Sequence, residues 1–256
     1  MGERTIRTRY KFRFKADLGD WLGQHIFLTG AYEPPTAKVI EAIVSSGDTF
    51  IDAGANAGFF TLLGSRQVGP KGKVIAFEPL PSMRERIKAG MKLNSVENVS
   101  LEALALSDQQ GTVLLHEGPD GHKGISSLRK IDQSVGAVAV KTAPLDSFES
   151  GLDGLKLIKI DVEGAEQLVL NGMQRIIQRY HPFIVIEVTN EYLSAFGHDA
   201  VQLAQTLTSA GYRMFEISAD GLVPMEEMQA GTIKQFNALF AYQPVPATLL
   251  APLHQE

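Results

Sequence analysis

Two hydrophobic rhythms alternate along this chain: short, nearly unbroken apolar runs, and longer stretches in which apolar positions repeat at helical spacing. Pro34 and Pro35 open one such stretch, with Val39, Ile40, Ile43 and Val44 in register and Gly47 at its end, the proline-start and glycine-stop signature of a helix. The pattern then predicts strand 49–53, helix 59–67, strand 73–77, helix 82–93 and strand 99–104. After a break it resumes with strand 156–160, helix 163–179, strand 183–188, helix 200–210 and strand 212–217. Strands alternating with helices imply parallel βαβ units and a sheet covered on both faces. A last strand at 236–242 follows 217 without a long helical pattern, so an antiparallel final pair is expected.

Two regions depart from this rhythm. Residues 111–144 carry two strand-like runs, 112–116 and 137–142, around a polar, glycine-containing middle, and read as a hairpin inserted over the sheet. Residues 9–15 alternate Arg9, Lys11, Arg13 and Lys15 with Tyr10, Phe12 and Phe14. That is a period-two strand pattern, read as an edge strand whose cations discourage further pairing rather than as a patch for an acidic partner. The expected organisation is therefore an N-terminal β extension over 1–30, an α/β domain over 31–245 and a loosely held tail over 246–256.

Composition narrows the class. Lys and Arg number 24 against 29 Asp and Glu, a formal charge of −5, which argues against nucleic acid as a partner. Cysteine is absent, which removes disulfides, thiolate metal sites and cysteine nucleophiles together. The charged N-terminus holds no apolar leader core, and no run of about 18 apolar residues occurs, so a soluble cytoplasmic protein without a membrane span is expected.

The chemistry concentrates where predicted strands end. Phe50 to Phe60 is a buried-type strand running through Asp52, Gly54, Ala55, Asn56 and Gly58 into a helix that begins at Phe59. In open α/β sheets ligands sit outside the carboxyl ends of strands, and glycines there let a ligand approach the backbone. The dinucleotide fingerprint G-x-G-x-x-G is not met, because Asn56 and Phe59 stand where its second and third glycines belong. Glu78, before Pro79, ends the next strand and is placed to accept the two ribose hydroxyls of an adenosine ligand. Asp161 ends strand 156–160, with Glu163 and Glu166 following, and Glu187 ends strand 183–188 with His198 in the loop beyond. Carboxylates gathered on one rim could share base duty or ligate a hard cation such as Mg²⁺. His181 falls at the opposite edge, and His116 and His122 read as solvated surface residues.

The ordered segments Tyr32-Glu33-Pro34-Pro35, Phe50 to Gly58, Phe77-Glu78-Pro79, Ala105-Leu106-Ser107-Asp108, Ile125-Ser126-Ser127-Leu128 and Ile160 to Glu166 resemble the FkbM family of S-adenosylmethionine-dependent methyltransferases. The resemblance implies a Rossmann-like, seven-stranded, mostly parallel sheet whose last strand is antiparallel. It further implies that the turn from Asp52 to Gly58 holds the methionine moiety of S-adenosylmethionine, Glu78 its ribose and Leu106-Ser107 its adenine, with Glu33 near its amino end. O-methylation of a hydroxylated small molecule, a polyketide or a sugar, follows from the same resemblance. Asp161 is then central, with Glu163 and Glu187 supporting it. The proton acceptor is left open among Asp161, Glu187, His198 and a carboxylate-bound cation, and residues 125–128 would lid the acceptor. A nicotinamide-dependent oxidoreductase and a non-catalytic module that only binds the donor are the rival readings. A homo-oligomer is compatible with the sequence.

Overall fold

The architecture comes from a computed structural model that describes residues 2–118, 136–228 and 235–252. The chain begins with strands β1 (Glu3–Arg7) and β2 (Arg13–Asp17) and helices α1 (Trp21–Thr29) and α2 (Pro34–Ile43). Four alternating elements follow: β3 (Thr49–Ala53), α3 (Phe59–Val68), β4 (Lys73–Phe77) and α4 (Pro81–Asn94). Next come β5 (Val99–Glu102), β6 (Ala105–Leu106), β7 (Gly111–Glu117), β8 (Gly136–Ala143) and β9 (Leu155–Ile160). The last third holds α5 (Glu166–Asn171), α6 (Gln174–Tyr180), β10 (Phe183–Val188), α7 (Asn190–Ser194), α8 (Ala200–Thr208), β11 (Arg213–Ser218), β12 (Gly221–Met225) and β13 (Phe236–Ala241).

The central sheet runs β12-β11-β13-β10-β9-β3-β4-β5, with β9, β3, β4 and β5 parallel and β13 antiparallel to both its neighbours. It has eight strands rather than the expected seven. The extra one, β12, turns back on β11 and makes a new edge strand. From β3 the chain steps outward through β4 and β5, then returns to the other side of β3 as β9, so the strand order reverses between β3 and β9. At such a switch point the loops leave in opposite directions and open a crevice at the carboxyl ends.

Alternation along each central strand feeds two cores. Ile51, Ala53, Ile158, Ile160, Ile184 and Ile186 pack on the face carrying α5, α6 and α8. Phe50, Leu157, Phe183 and Val185 pack on the face carrying α2 and α3. The N-terminal hairpin joins the second core. The strand there starts at Arg13, because Lys11 adopts a left-handed conformation (φ 68°) in the turn before it, so the alternation read across 9–15 is part turn and part strand. Its aromatic side holds nevertheless: Tyr10, Phe12 and Phe14 close on the Phe59 ring at centroid distances of 5.3–5.9 Å.

The helix expected over 163–179 is two helices. A Cβ on Gly172 would collide with the Ser107 carbonyl, so chain 107 passes against the helix at that point. The break leaves α6 with free N–H groups, and Asp146 caps them by accepting from Arg175 N and Ile176 N. The hairpin strands β7 and β8 pair antiparallel, and β6 joins β8 to make a separate three-stranded sheet. The segment between them, with His122 and the expected lid 125–128, lies outside the described residues. The tail is held where described: Leu249 is buried, and Leu250 bridges to Leu222.

Candidate functional site

The turn after β3 is shaped by its neighbour across the switch point. Asp161 N donates to the Ala53 carbonyl, and Gly54 N and Ala55 N both donate to the Phe77 carbonyl. Gly54 sits at φ 82°, and a Cβ there would collide with the Asp161 carbonyl oxygen. The protein backbone by itself thus requires glycine here, and Gly54 also lines the cavity beside Glu78. Asn56 is also left-handed, at φ 51°. Its N–H donates to Glu78 Oε2 at 2.8 Å, while Leu80 N donates to Glu78 Oε1 at 2.9 Å. Burial pushes the Glu78 carboxyl up to about 7.

Glu78 lines a first cavity of about 640 Å³ of atom-free space, its mouth included. The walls are mostly apolar, with Pro79, Leu80, Met83, Leu106, Leu115 and Val162 among them, and the polar end is Asn56, Asp161 and Glu163. A second cavity of about 1210 Å³ of atom-free space opens beyond that end and shares the same three residues. Its other walls are Asp20, Trp21, Leu22, Tyr32, Glu33, Glu187, Tyr192, Gln235, Phe236 and Asn237.

Between the cavities lies a charged network whose hub the sequence reading missed. Lys159 Nζ, nearly fully buried, donates to Asp161 Oδ2 at 2.7 Å and lies 4.7 Å from the centre of the Phe60 ring. Burial works against its ammonium, but Asp161, Glu33 and Asp52 together hold the Lys159 pKa above its ordinary value. Burial alone would raise the Asp161 carboxyl; Lys159 and a hydrogen bond from Glu187 hold it below the usual carboxylate range. The charge on Asp161, followed by burial, pushes the Glu187 carboxyl up to about 10. Glu187 is therefore protonated at neutral pH and donates to Asp161, while also accepting from Gln235 Nε2 at 2.6 Å. Asp161, Glu163 and Glu187 each place a carboxylate oxygen within 4.8 Å of the others. Glu33, whose carboxyl burial pushes up, accepts from Asn237 Nδ2 at 2.9 Å.

Glu33, Gly54, Asn56, Glu78, Pro79, Leu106, Asp161, Glu163 and Glu187 thus all reach one or both cavities. Six other sequence-predicted residues do not line them. Asp52 is buried on the α3 side, accepting from Thr61 Oγ1 at 2.6 Å, and its charge reaches the site from a distance, through Lys159 and Glu78. Ala55 packs on Ala76 and Ile87, Gly58 abuts Ile87, and Phe59 centres the aromatic cluster. Ser107 is buried with its hydroxyl on Asp108. His198 sits in the turn before α8, its N–H on the Leu193 carbonyl. Lys159 did leave a signal: a lysine flanked by Ile158 and Ile160 at the carboxyl end of an apolar strand stays buried only when paired. Trp21 and Asn237 left none, since nothing local marks their approach to Asp161.

Residues 52–214, well over half of the chain, match the model of the methyltransferase FkbM domain. The chain belongs to the FkbM family of S-adenosylmethionine-dependent methyltransferases. Among curated relatives, Methyltransferase 1 of Beauveria bassiana is 31% identical over 147 residues, 49% of this chain and 59% of that protein. The 2-O-methyltransferase NoeI of Sinorhizobium fredii is 27% identical over 145 residues, 50% of this chain and 58% of that one. The chain thus spans about six-tenths of the length of these relatives. The crystal structure of methyltransferase FkbM from Methylobacillus flagellatus superposes with a TM-score of 0.50 at 16% identity, over 77% of this chain and 44% of that one, and shares the Rossmann-like α/β fold. Every residue lining the first cavity falls inside the FkbM match, whereas eight of the thirteen lining the second fall outside it. Among the described residues no helix is long and apolar enough to cross a membrane.

Proposed function

We propose that the protein is an S-adenosylmethionine-dependent O-methyltransferase acting on a hydroxyl of a small natural product or sugar. The observation that carries this reading is the meeting of two unlike cavities at Asn56, Asp161 and Glu163. The first suits the donor. Each Glu78 oxygen accepts one backbone N–H and keeps acceptor capacity for a ribose hydroxyl, and the apolar wall of Leu106, Leu115 and Met83 suits a flat base. The acidic end at Asp161 and Glu163 suits the cationic half of the donor. Bound S-adenosylmethionine would supply a sulfonium methyl group whose carbon forms a bond to the acceptor oxygen as its bond to sulfur breaks, leaving the neutral thioether S-adenosylhomocysteine, and the hydroxyl proton would pass to a carboxylate of the chain.

The chain's own contribution is positioning and proton handling. Holding the acceptor hydroxyl against the shared wall removes a bimolecular encounter, which is worth effective molarities of about 10⁵ M or more when geometry is good. Asp161, kept ionised by Lys159, is the acceptor for that proton, a role worth about 10²–10⁴-fold. Glu187, protonated beneath it, holds the carboxylate in place. The reading assigns no Mg²⁺ to the three carboxylates, because the Lys159 ammonium already supplies the positive charge at Asp161 Oδ2. A relative named as a 2-O-methyltransferase favours a hydroxylated acceptor. The FkbM match leaves the nicotinamide reading without support.

Parallel calorimetric titrations with S-adenosylmethionine, S-adenosylhomocysteine and NAD test the donor assignment. Saturable binding of the two sulfur ligands and not NAD is expected, and NAD binding alone would overturn it. Asp161→Asn should bind the donor and fold normally yet lose at least about 10²-fold in turnover. Full turnover in that variant would remove Asp161 from proton transfer.

A further inference from the structure

On the methyl-transfer reading, on which this rests, we infer that the second cavity takes an uncharged sugar ring, seated with one C–H face on the indole of Trp21. Trp21 is the only tryptophan of the chain and stands 53% exposed at the wall of this cavity. Phe27 and Leu28 of the same helix are exposed as well, but of the three only Trp21 lines the cavity, which makes its open indole the telling observation. Leu22 and Ile26 bury the other side of α1, and Gly23 packs so closely on β2 that a Cβ there would collide with the Asp17 carbonyl. The indole stacks on His25 at 5.3 Å and 20°, and His25, which does not line the cavity, meets the Tyr32 ring edge-on at 6.4 Å. A flat, rigid, amphipathic ring is therefore held ready at the mouth with its ordering already done.

The rest of the wall is polar. Glu33 paired with Asn237, and Glu187 paired with Gln235, line it together with Asp161 and Glu163. A sugar ring matches this surface because it carries a C–H face and a rim of hydroxyls. An aliphatic chain would leave these carboxyl and amide groups facing hydrocarbon. The sign of the charge matters as well. Asp20, Glu33, Asp161, Glu163 and Glu187 are the ionisable acids of the lining, and no Lys, Arg or His stands among its described residues. Arg86 and Lys159 pair with Asp20 and Asp161 and do not themselves line the cavity. With Glu187 protonated and Asp20 and Asp161 paired, a phosphorylated or carboxylated sugar would still meet acidic groups and find no cation in the lining to receive it. Trp21, Asp20 and Leu22 precede the FkbM match, so this selection belongs to the chain's own N-terminal segment.

Trp21, as the sole indole, reports its own occupancy. The full-length protein, with S-adenosylhomocysteine bound, is titrated with methyl β-glucopyranoside, methyl α-mannopyranoside, methyl α-fucopyranoside and tri-N-acetylchitotriose, and separately with glucuronate and glucose 6-phosphate, while tryptophan emission is followed. At least one neutral glycoside should shift the emission saturably and the two anions should not. With the responding glycoside as acceptor, Trp21→Ala should raise the acceptor KM about tenfold, leave kcat within about twofold, and leave donor affinity unchanged; Trp21→Phe should recover most of the loss. An equal or stronger response to the anions overturns the inference, as does silence from every neutral glycoside in protein that binds the donor. Failure of S-adenosylhomocysteine itself to bind is a failure of the methyl-transfer reading and is read out before any sugar is added.

Discussion

The cavity under Glu78 and the cavity facing Trp21 share one wall and differ in how they are made. The first is assembled from the ends of β3, β4 and β9 with β6 and β7 over it, all inside residues 52–214. The second borrows its outer walls from α1, from the turn before α2 and from the start of β13, elements far apart along the chain. The first is largely apolar and dominated by a single buried carboxylate; the second is lined by acids and amides. A donor common to a family can be held by loops that the sheet itself positions. An acceptor peculiar to one member is met by pieces packed on around that frame.

Gly54→Val strikes the junction and should break both cavities. The branched side chain would have to displace the Asp161 backbone and adopt φ 82°, with an expected loss of about 4 kcal/mol or more in stability, read as a drop in melting temperature with donor binding abolished. Normal melting with normal donor affinity would uncouple the two cavities from this contact. Lys159→Met removes the countercharge under the shared wall and should lose about 3 kcal/mol at pH 8. The sign of its pH dependence follows from Asp161. Its lowered pKa contributes stability that is fully present above the ordinary carboxylate value and is lost only as pH falls below it, so the gap between variant and wild type should narrow at pH 3. A gap of constant size in melts at the two pH values would argue that Lys159 acts by packing alone.

Glu78→Ala should separate the cavities. Donor affinity should fall by roughly 1–3 kcal/mol, about 5- to 150-fold in Kd by calorimetry, with the Trp21 emission response to sugar preserved. In the wild type the Glu78 carboxyl, raised to about 7, loses acceptor capacity on protonation, so donor affinity should weaken as pH drops through 7, and the variant should lack that dependence. Glu187→Gln is the mildest test. It retains a neutral donor toward Asp161, so turnover at pH 8 should stay within about threefold, while any alkaline loss of activity near pH 10 should disappear. A large loss at pH 8 would assign Glu187 more than the positioning of Asp161.

Much of the first cavity was legible along the chain. β3, β4 and β10 begin and end where the apolar runs do, and Glu78 and Asp161 fall at strand ends as expected, because hydrophobic periodicity is local and each strand end is announced by its own neighbours. The second cavity was not. Glu33 and Glu187 were named from their positions, but Trp21, Asn237 and Gln235 reach them only through the packing of α1 and β13. The break at Gly172 was equally hidden, since its cause is the backbone of Ser107 passing alongside.

By itself, then, the amino-acid sequence determined the strand–helix alternation from β3 to β5 and the apolar strands β9, β10, β11 and β13, the glycine turn after β3 and the row of acids at the strand ends. It also determined the family, through segments whose spacing is short and whose geometry is set by the backbone nearby. Only the tertiary structure decided that Gly54 meets the Asp161 backbone, that Asp52 lies near Lys159, and which carboxyls are pushed up and which down. The reason is physical: charge, burial and steric contact depend on distance through space, and Glu33, Asp161, Glu187 and Asn237 become neighbours only when the sheet has brought its distant strands together.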